Sequence, residues 1–224
     1  MGRPEMTGQL AILRDVTAFG VIPVVEIDDV ADADALTEAL LEAGLGVIEV
    51  TFRTAAAAEI IARIARRYAD MLVGAGTVVS PADLRRAMDA GARFALAPGL
   101  SPRMLDAASE AGLPYVPGAM TPSDLQAGIE RGISTFKFFP AQPAGGIPFL
   151  RAMAAPFVMQ ALRFIPTGGV SPANLADWLR EPAVAAVGGT WIASRAMIRA
   201  RDWTGIRQTA GDAVRAARAV REAA

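Results

Sequence analysis

The chain has no cysteine and no histidine, and Lys137 is the only lysine among its 22 basic residues. Without cysteine there are no disulfides and no thiolate chemistry. Without histidine there is no Ser-His triad, no imidazole general base and none of the usual zinc, iron or copper sites. Catalysis is left to lysine, carboxylates, hydroxyls, arginine and backbone groups. Charges of the two signs nearly cancel, at a formal −1, which gives no field to hold nucleic acid. Uncharged runs such as 111–123 and 138–150 stop at 13 residues and are broken by Gly and Pro, too short to span a bilayer. The first residues lack a basic segment followed by an apolar run, so no secretory signal is expected. The Asp cluster "DDVADAD" (28–34) has no Gly or distant Glu at EF-hand spacing, and acids near a helix start explain it. No metal is expected.

What remains is abundant apolar material. With 53% hydrophobic residues in 224, the chain can bury a large core, and a soluble cytoplasmic protein is the expectation. Four segments share a pattern of an acidic residue, any residue, glycine and an apolar run, with glycines at Gly44, Gly91, Gly112 and Gly132. Each reads as a helix closed by glycine and followed at once by a strand. "SPADL", "SPRML", "TPSDL" and "SPANL", starting at 80, 101, 121 and 171, mark helix starts, with Ser or Thr as cap and Pro at the first helical position. Adding 21–27, 71–79, 162–169 and 184–190 gives eight strands, with helices between them, an extra helix at 7–18 and a last one near 205–221. Such alternation implies parallel strands and right-handed crossovers. The fold class expected is α/β, a single (β/α)8 TIM-barrel domain over 1–224 with residues 1–18 as a helix packed on it. An open doubly wound sheet is the runner-up, disfavoured because no Gly-x-Gly-x-x-Gly follows the first strand.

Catalytic groups in a barrel sit at the C-terminal ends of its strands. In "GVIEVTFRT", Ile48, Val50 and Phe52 form an apolar face against the helices, so Glu49, Thr51 and Arg53 point inward, with Arg53 nearest the mouth. In "STFKFFP", Thr135, Lys137 and Phe139 share one face, opposite Phe136 and Phe138. An inward carboxylate and an inward amine thus emerge separately. Lysine's distinctive use is a deprotonatable amine, which arginine cannot supply. The sequence neighbours of Lys137, Phe136 and Phe138, with a nearby guanidinium, are expected to surround the amine and disfavour its charged form. The plainer reading is a buried Glu49–Lys137 ion pair capped by Arg53. Thr77 ends "GAGT", where small residues admit substrate to the backbone; its plainer role, like that of Thr190, is a cap. "PTGG" (166–169) and "GGT" (188–190) end the seventh and eighth strands. Barrels often bind phosphate there, with Gly168, Gly169, Gly188 and Gly189 giving backbone access and Thr167 and Thr190 adding hydroxyls. Phe149, Met153, Phe157 and Met159 fit a subunit interface or the core equally.

Together these residues resemble the 2-keto-3-deoxy-6-phosphogluconate (KDPG) aldolases, class I lyases of the Entner–Doudoroff pathway. The likeness runs from about residue 20 to the last helix. It is carried by "EVTFRT" (49–54), "GAGTV" (74–78), "PGL" (98–100), "FKFFPA" (136–141), "PTGG" with "SPAN" (171–174), and "GGTW" (188–191). The resemblance implies a homotrimeric barrel that uses no metal and no cofactor beyond a covalent Schiff base. Lys137 is then the Schiff-base lysine, Glu49 the acid/base, and Arg53 and Thr77 carboxylate binders. Pro98 and Phe139 line the substrate, and the two glycine pairs with Thr167 and Thr190 hold its phosphate. The implied partner is a small phosphorylated keto acid. Ala97, "PGAMTPSD" (117–124) and an extra mouth carboxylate, Glu26, depart from the family pattern. Relatives cleave 4-hydroxy-2-oxoglutarate or the galactonate epimer, and "EVTFRT" favours the gluconate branch over the epimer branch. A non-catalytic sugar-phosphate sensor is the alternative from another class.

Overall fold

The computed structural model describes residues 4–223, with side chains from 11 onward. Its strand segments are β1 (Val21–Val25), β2 (Val47–Thr51), β3 (Leu72–Gly76), β4 (Ala95–Leu96), β5 (Tyr115–Val116), β6 (Gly118–Ala119), β7 (Thr135–Phe138), β8 (Arg163–Pro166) and β9 (Val187–Gly189). All strand pairings are parallel. They run β5-β4-β3-β2-β1-β9 in one sheet and β6-β7-β8 in the other. Single bridges from Phe164 to Val184 and from Thr167 to Gly188 join β8 to the β9 segment, so the ring closes. This is the expected eight-stranded barrel, with its fifth strand split at Pro117. Proline has no N–H to give to a ladder, so β5 pairs back to β4 while β6 pairs forward to β7.

The helix-closing glycines behave as their sequence pattern predicts. Gly44, Gly91, Gly112 and Gly132 all have positive φ, between 71° and 87°, where a side chain would be strained. Ser80 caps the helix Pro81–Asp89, and Thr121 with Asp124 forms a capping box on Pro122–Ile129. One start moves. "SPANL" opens with a turn, and the helix spans Leu175–Arg180. Asn174 accepts the Ser171 N–H at 2.8 Å and donates to the Gly169 carbonyl at 3.1 Å, which holds the segment in a turn.

The N-terminal helix is Pro4–Ala18, longer than the 7–18 expected, and the last is Trp203–Glu222. Val16 buries the first helix against the core; residues 1–3 of the expected 1–18 segment lie outside the described residues. Phe138 stacks on Phe149 and packs against Trp178, while a Cβ at Gly128 would meet Phe136, so both phenylalanines face helices. Met153 is core and Phe157 half-buried, whereas Val158 and Met159 are 77% and 88% exposed.

Candidate active site

Parallel register places the two central groups. Glu49 on β2 lies opposite Val24 of β1 and Gly74 of β3, and Lys137 on β7 lies between Gly118 and Ile165. Glycine clears the space the carboxylate enters. A Cβ on Gly76 would sit 2.2 Å from Glu49 Oε1, so this glycine makes room for a carboxylate rather than directly for substrate. On the other side, a Cβ on Gly118 would strike the Pro98 carbonyl at 2.1 Å. Within the barrel, Lys137 Nζ donates to Glu49 Oε1 at 2.8 Å, with the two residues only 6% and 1% exposed.

The pair fits both the chemical and the plainer structural reading, since burying two charges costs desolvation that their attraction only partly returns. Two expectations about its surroundings fail. Phe136 and Phe138 do not enclose the amine, because strand alternation turns them outward onto the helices. Nor does Arg53 cap the pair: its Nη1 lies 3.5 Å from Glu26 Oε2, on an exposed side chain.

The remaining expected residues gather on the rims of the strands. Thr77 follows β3 with φ +58, rare for a β-branched residue and a kind of strain that concentrates at functional sites. Ser80 caps the next helix, so Thr77 is not that cap. Pro98 is exposed just past β4, and Phe139, half-buried, follows β7 with its ring against Gly168. The Thr167–Gly188 bridge brings the two glycine pairs side by side. A Cβ at Gly188 would lie 2.2 Å from Thr167 Oγ1, and one at Gly189 would enter the Trp191 ring. Gly168 and Gly169 have φ of +94 and +79. Thr190 is exposed, and the short helix after it is capped by Ser194.

Sequence reasoning missed the partners of this rim. Arg195 pairs with Glu26 and, bidentately, with Asp28 at 2.6 and 3.1 Å; Arg199 reaches Asp28 at 2.9 Å. The two guanidiniums hold the Asp28 carboxyl down at about 2. The acidic cluster was visible, but arginines about 167 residues away along the chain left no local signal. A hollow of about 120 Å³ lies at the opposite end of the barrel, lined by Leu13, Leu105, Tyr115 and Thr135. Its charged lining residue, Arg131, is bound to Asp106 at 2.9 Å, leaving no amine–carboxylate couple there. Among the described residues no group of three or more His, Cys, Asp or Glu is placed to hold a metal, and no helix is long and apolar enough to cross a membrane.

A parallel (β/α)8 barrel with a buried lysine–carboxylate couple below a glycine-rich, arginine-bearing mouth defines a class, the barrel enzymes built for lysine chemistry on a carbonyl. Within that class the match is specific. The family model for KDPG and KHG aldolase covers residues 12–209, and the chain belongs to that family. It is 40% identical over 203 residues to the KHG/KDPG aldolase of Escherichia coli K12, covering 91% of this chain and 94% of that protein. Identity is 42% over 195 residues to the 2-dehydro-3-deoxy-phosphogluconate aldolase of Treponema pallidum, covering 87% and 92%. Among solved structures, the KDPG aldolase of Legionella pneumophila, with pyruvate captured as a covalent carbinolamine, superposes at TM-score 0.85 with 39% identity over 88% of this chain and 96% of that one. The Zymomonas mobilis enzyme with 3-phosphoglycerate gives 0.84 with 35% identity, over 92% and 94%.

Proposed function

We propose that the chain is a class I aldolase, a carbon–carbon lyase that cleaves KDPG to pyruvate and glyceraldehyde 3-phosphate at Lys137. The observation that carries this is the 2.8 Å contact between the sole lysine and Glu49, buried in the barrel. Neutral Lys137 attacks the C2 ketone to give a carbinolamine, and loss of water leaves an iminium ion. The iminium draws the electrons of the C3–C4 bond as the C4 hydroxyl gives up its proton. Glyceraldehyde 3-phosphate departs, and the enamine is protonated at C3 and hydrolysed to pyruvate, which frees the amine. Glu49, 2.8 Å from the amine, is the acid/base for carbinolamine formation and for protonation at C3. Arg53 offers a planar fork to the pyruvyl carboxylate, and Thr77 is its second binder. Pro98 and Phe139 line the chain of the substrate. Gly168, Gly169, Gly188 and Gly189, with Thr167 and Thr190, take the phosphate.

The catalyst is a single barrel domain, needs no metal, and acts in the cytoplasm as a homotrimer. Exposed Val158 and Met159 support an apolar contact between copies. Incubation of the protein with KDPG tests the reading through release of pyruvate and glyceraldehyde 3-phosphate in equal amounts. No release, or full release by Lys137→Arg, overturns it. A second reading is favoured by the double name of the E. coli relative: a preference for 4-hydroxy-2-oxoglutarate, KHG. A higher kcat/KM on that unphosphorylated acid would establish it.

A further inference from the structure

Glu26 sits where neither acid/base chemistry nor phosphate binding employs it. Val24 pairs with Glu49 in parallel register, so Glu26, two residues further on, lies on the same inward side of the barrel, one layer nearer the mouth. Its side chain is 21% exposed, and each of its oxygens meets a different arginine: Arg195 on Oε1 and Arg53 on Oε2. The two contacts are unequal. Arg195 is also gripped by Asp28 through two hydrogen bonds, so it stays fixed without Glu26. Among the described residues, Arg53 has only the 3.5 Å contact, from a side chain that is 62% exposed.

We infer that Glu26 is a positioning residue for the keto-acid carboxylate: it holds Arg53 over the mouth as a stand-in anion and yields that guanidinium to the incoming substrate. The inference rests on Arg53 being the carboxylate binder. A long single contact on an exposed side chain is weak, which suits the task. It limits where a flexible arginine points, yet a substrate carboxylate accepting two parallel N–H bonds displaces it. The side chain therefore loses less freedom on binding. Because β1 lies between β2 and β9, Glu26 also ties the carboxylate end of the mouth to the short helix Arg195–Arg199 that comes after the second glycine pair.

The test uses the full chain and two readouts: KDPG cleavage, and the pyruvate concentration that half-saturates borohydride trapping at the lysine. Glu26→Gln is expected to raise both KM and that half-saturating concentration about three- to tenfold, the size of ordering one long side chain, with kcat changed less than about twofold. Glu26→Asp, which keeps the anion, recovers most of the loss. In an Arg53→Ala background, Glu26→Gln adds nothing further, because its effect runs through Arg53. Unchanged half-saturation in Glu26→Gln overturns the inference, as does an equal rise with Arg53 absent. Thermal melting of each variant separates misfolding from loss of position. Glu26→Ala, with the same expected rise and the same overturning result, replaces Glu26→Gln if that variant does not fold. A wild-type protein that neither cleaves nor traps removes the parent reading and the inference together.

Discussion

Two carboxylate–cation couples, one inside the barrel and one on its helical coat, show what the single lysine is for. On the coat, Arg63 grips Asp34 through two hydrogen bonds of 2.8 and 2.7 Å, linking the helices Ala33–Glu42 and Ala57–Arg67. Inside, Lys137 meets Glu49 through one hydrogen bond at almost the same length, but with both groups nearly dry. Every salt bridge among the described residues uses arginine except the one at the centre of the barrel. Arginine makes the better fork for a carboxylate and stays charged. A couple selected only to bind would have used it. Lysine in this one place keeps an amine that can become neutral and form a carbon–nitrogen bond.

Making the two couples alike is the strongest way to break that contrast. Lys137→Arg preserves a cation beside Glu49 and is expected to cut kcat at least about a thousandfold, while circular dichroism reports an intact fold. Glu49→Gln keeps the shape but removes the proton carrier, with an expected loss of about 10²–10⁴-fold in kcat. Gly76→Ala places a methyl 2.2 Å from Glu49 Oε1, so the carboxylate must move off the amine. A displacement of that order costs about 10²-fold in turnover, and Lys137 should still be trapped by pyruvate, since the lysine itself is untouched.

The coat couple should show the reverse. Asp34→Asn leaves kcat unchanged and lowers stability by about 1 kcal/mol, because the Asp34–Arg63 pair is half-buried and still reached by water. Acid sharpens the contrast further. Arg63, through its hydrogen bonds, holds the Asp34 carboxyl below its ordinary value, and Arg195 and Arg199 hold Asp28 at about 2. A carboxyl depressed in the folded state contributes stability above its ordinary 3.8, and that contribution fades as pH falls toward about 2. Acid melting of wild type against Asp28→Asn should therefore differ in slope only in that window.

Much of this was legible in the chain, for physical reasons. Strand alternation put Glu49 and Lys137 on inward faces, and glycine placement fixed four helix ends, because only glycine enters the left-handed region without strain. What the sequence did not disclose lies partly in local side-chain and backbone detail and partly in contacts between groups far apart along the chain. Asn174 moves a helix start by catching Ser171 and Gly169. Pro117 splits a strand by withholding an N–H from one neighbour. Alternation already turned Phe136 and Phe138 away from the amine, so expecting them to shield it misread a pattern that was available. Glu26 stood out as an extra carboxylate, but its hold on Arg53 and Arg195 appeared only once β1, β2 and β9 lay side by side.

The most direct test is reduction of the pyruvate-treated protein with borohydride, followed by peptide mapping. One pyruvyl group per chain, on the peptide that contains Lys137, is the predicted result. A protein left unmodified, or one labelled elsewhere while position 137 stays bare, would contradict the account.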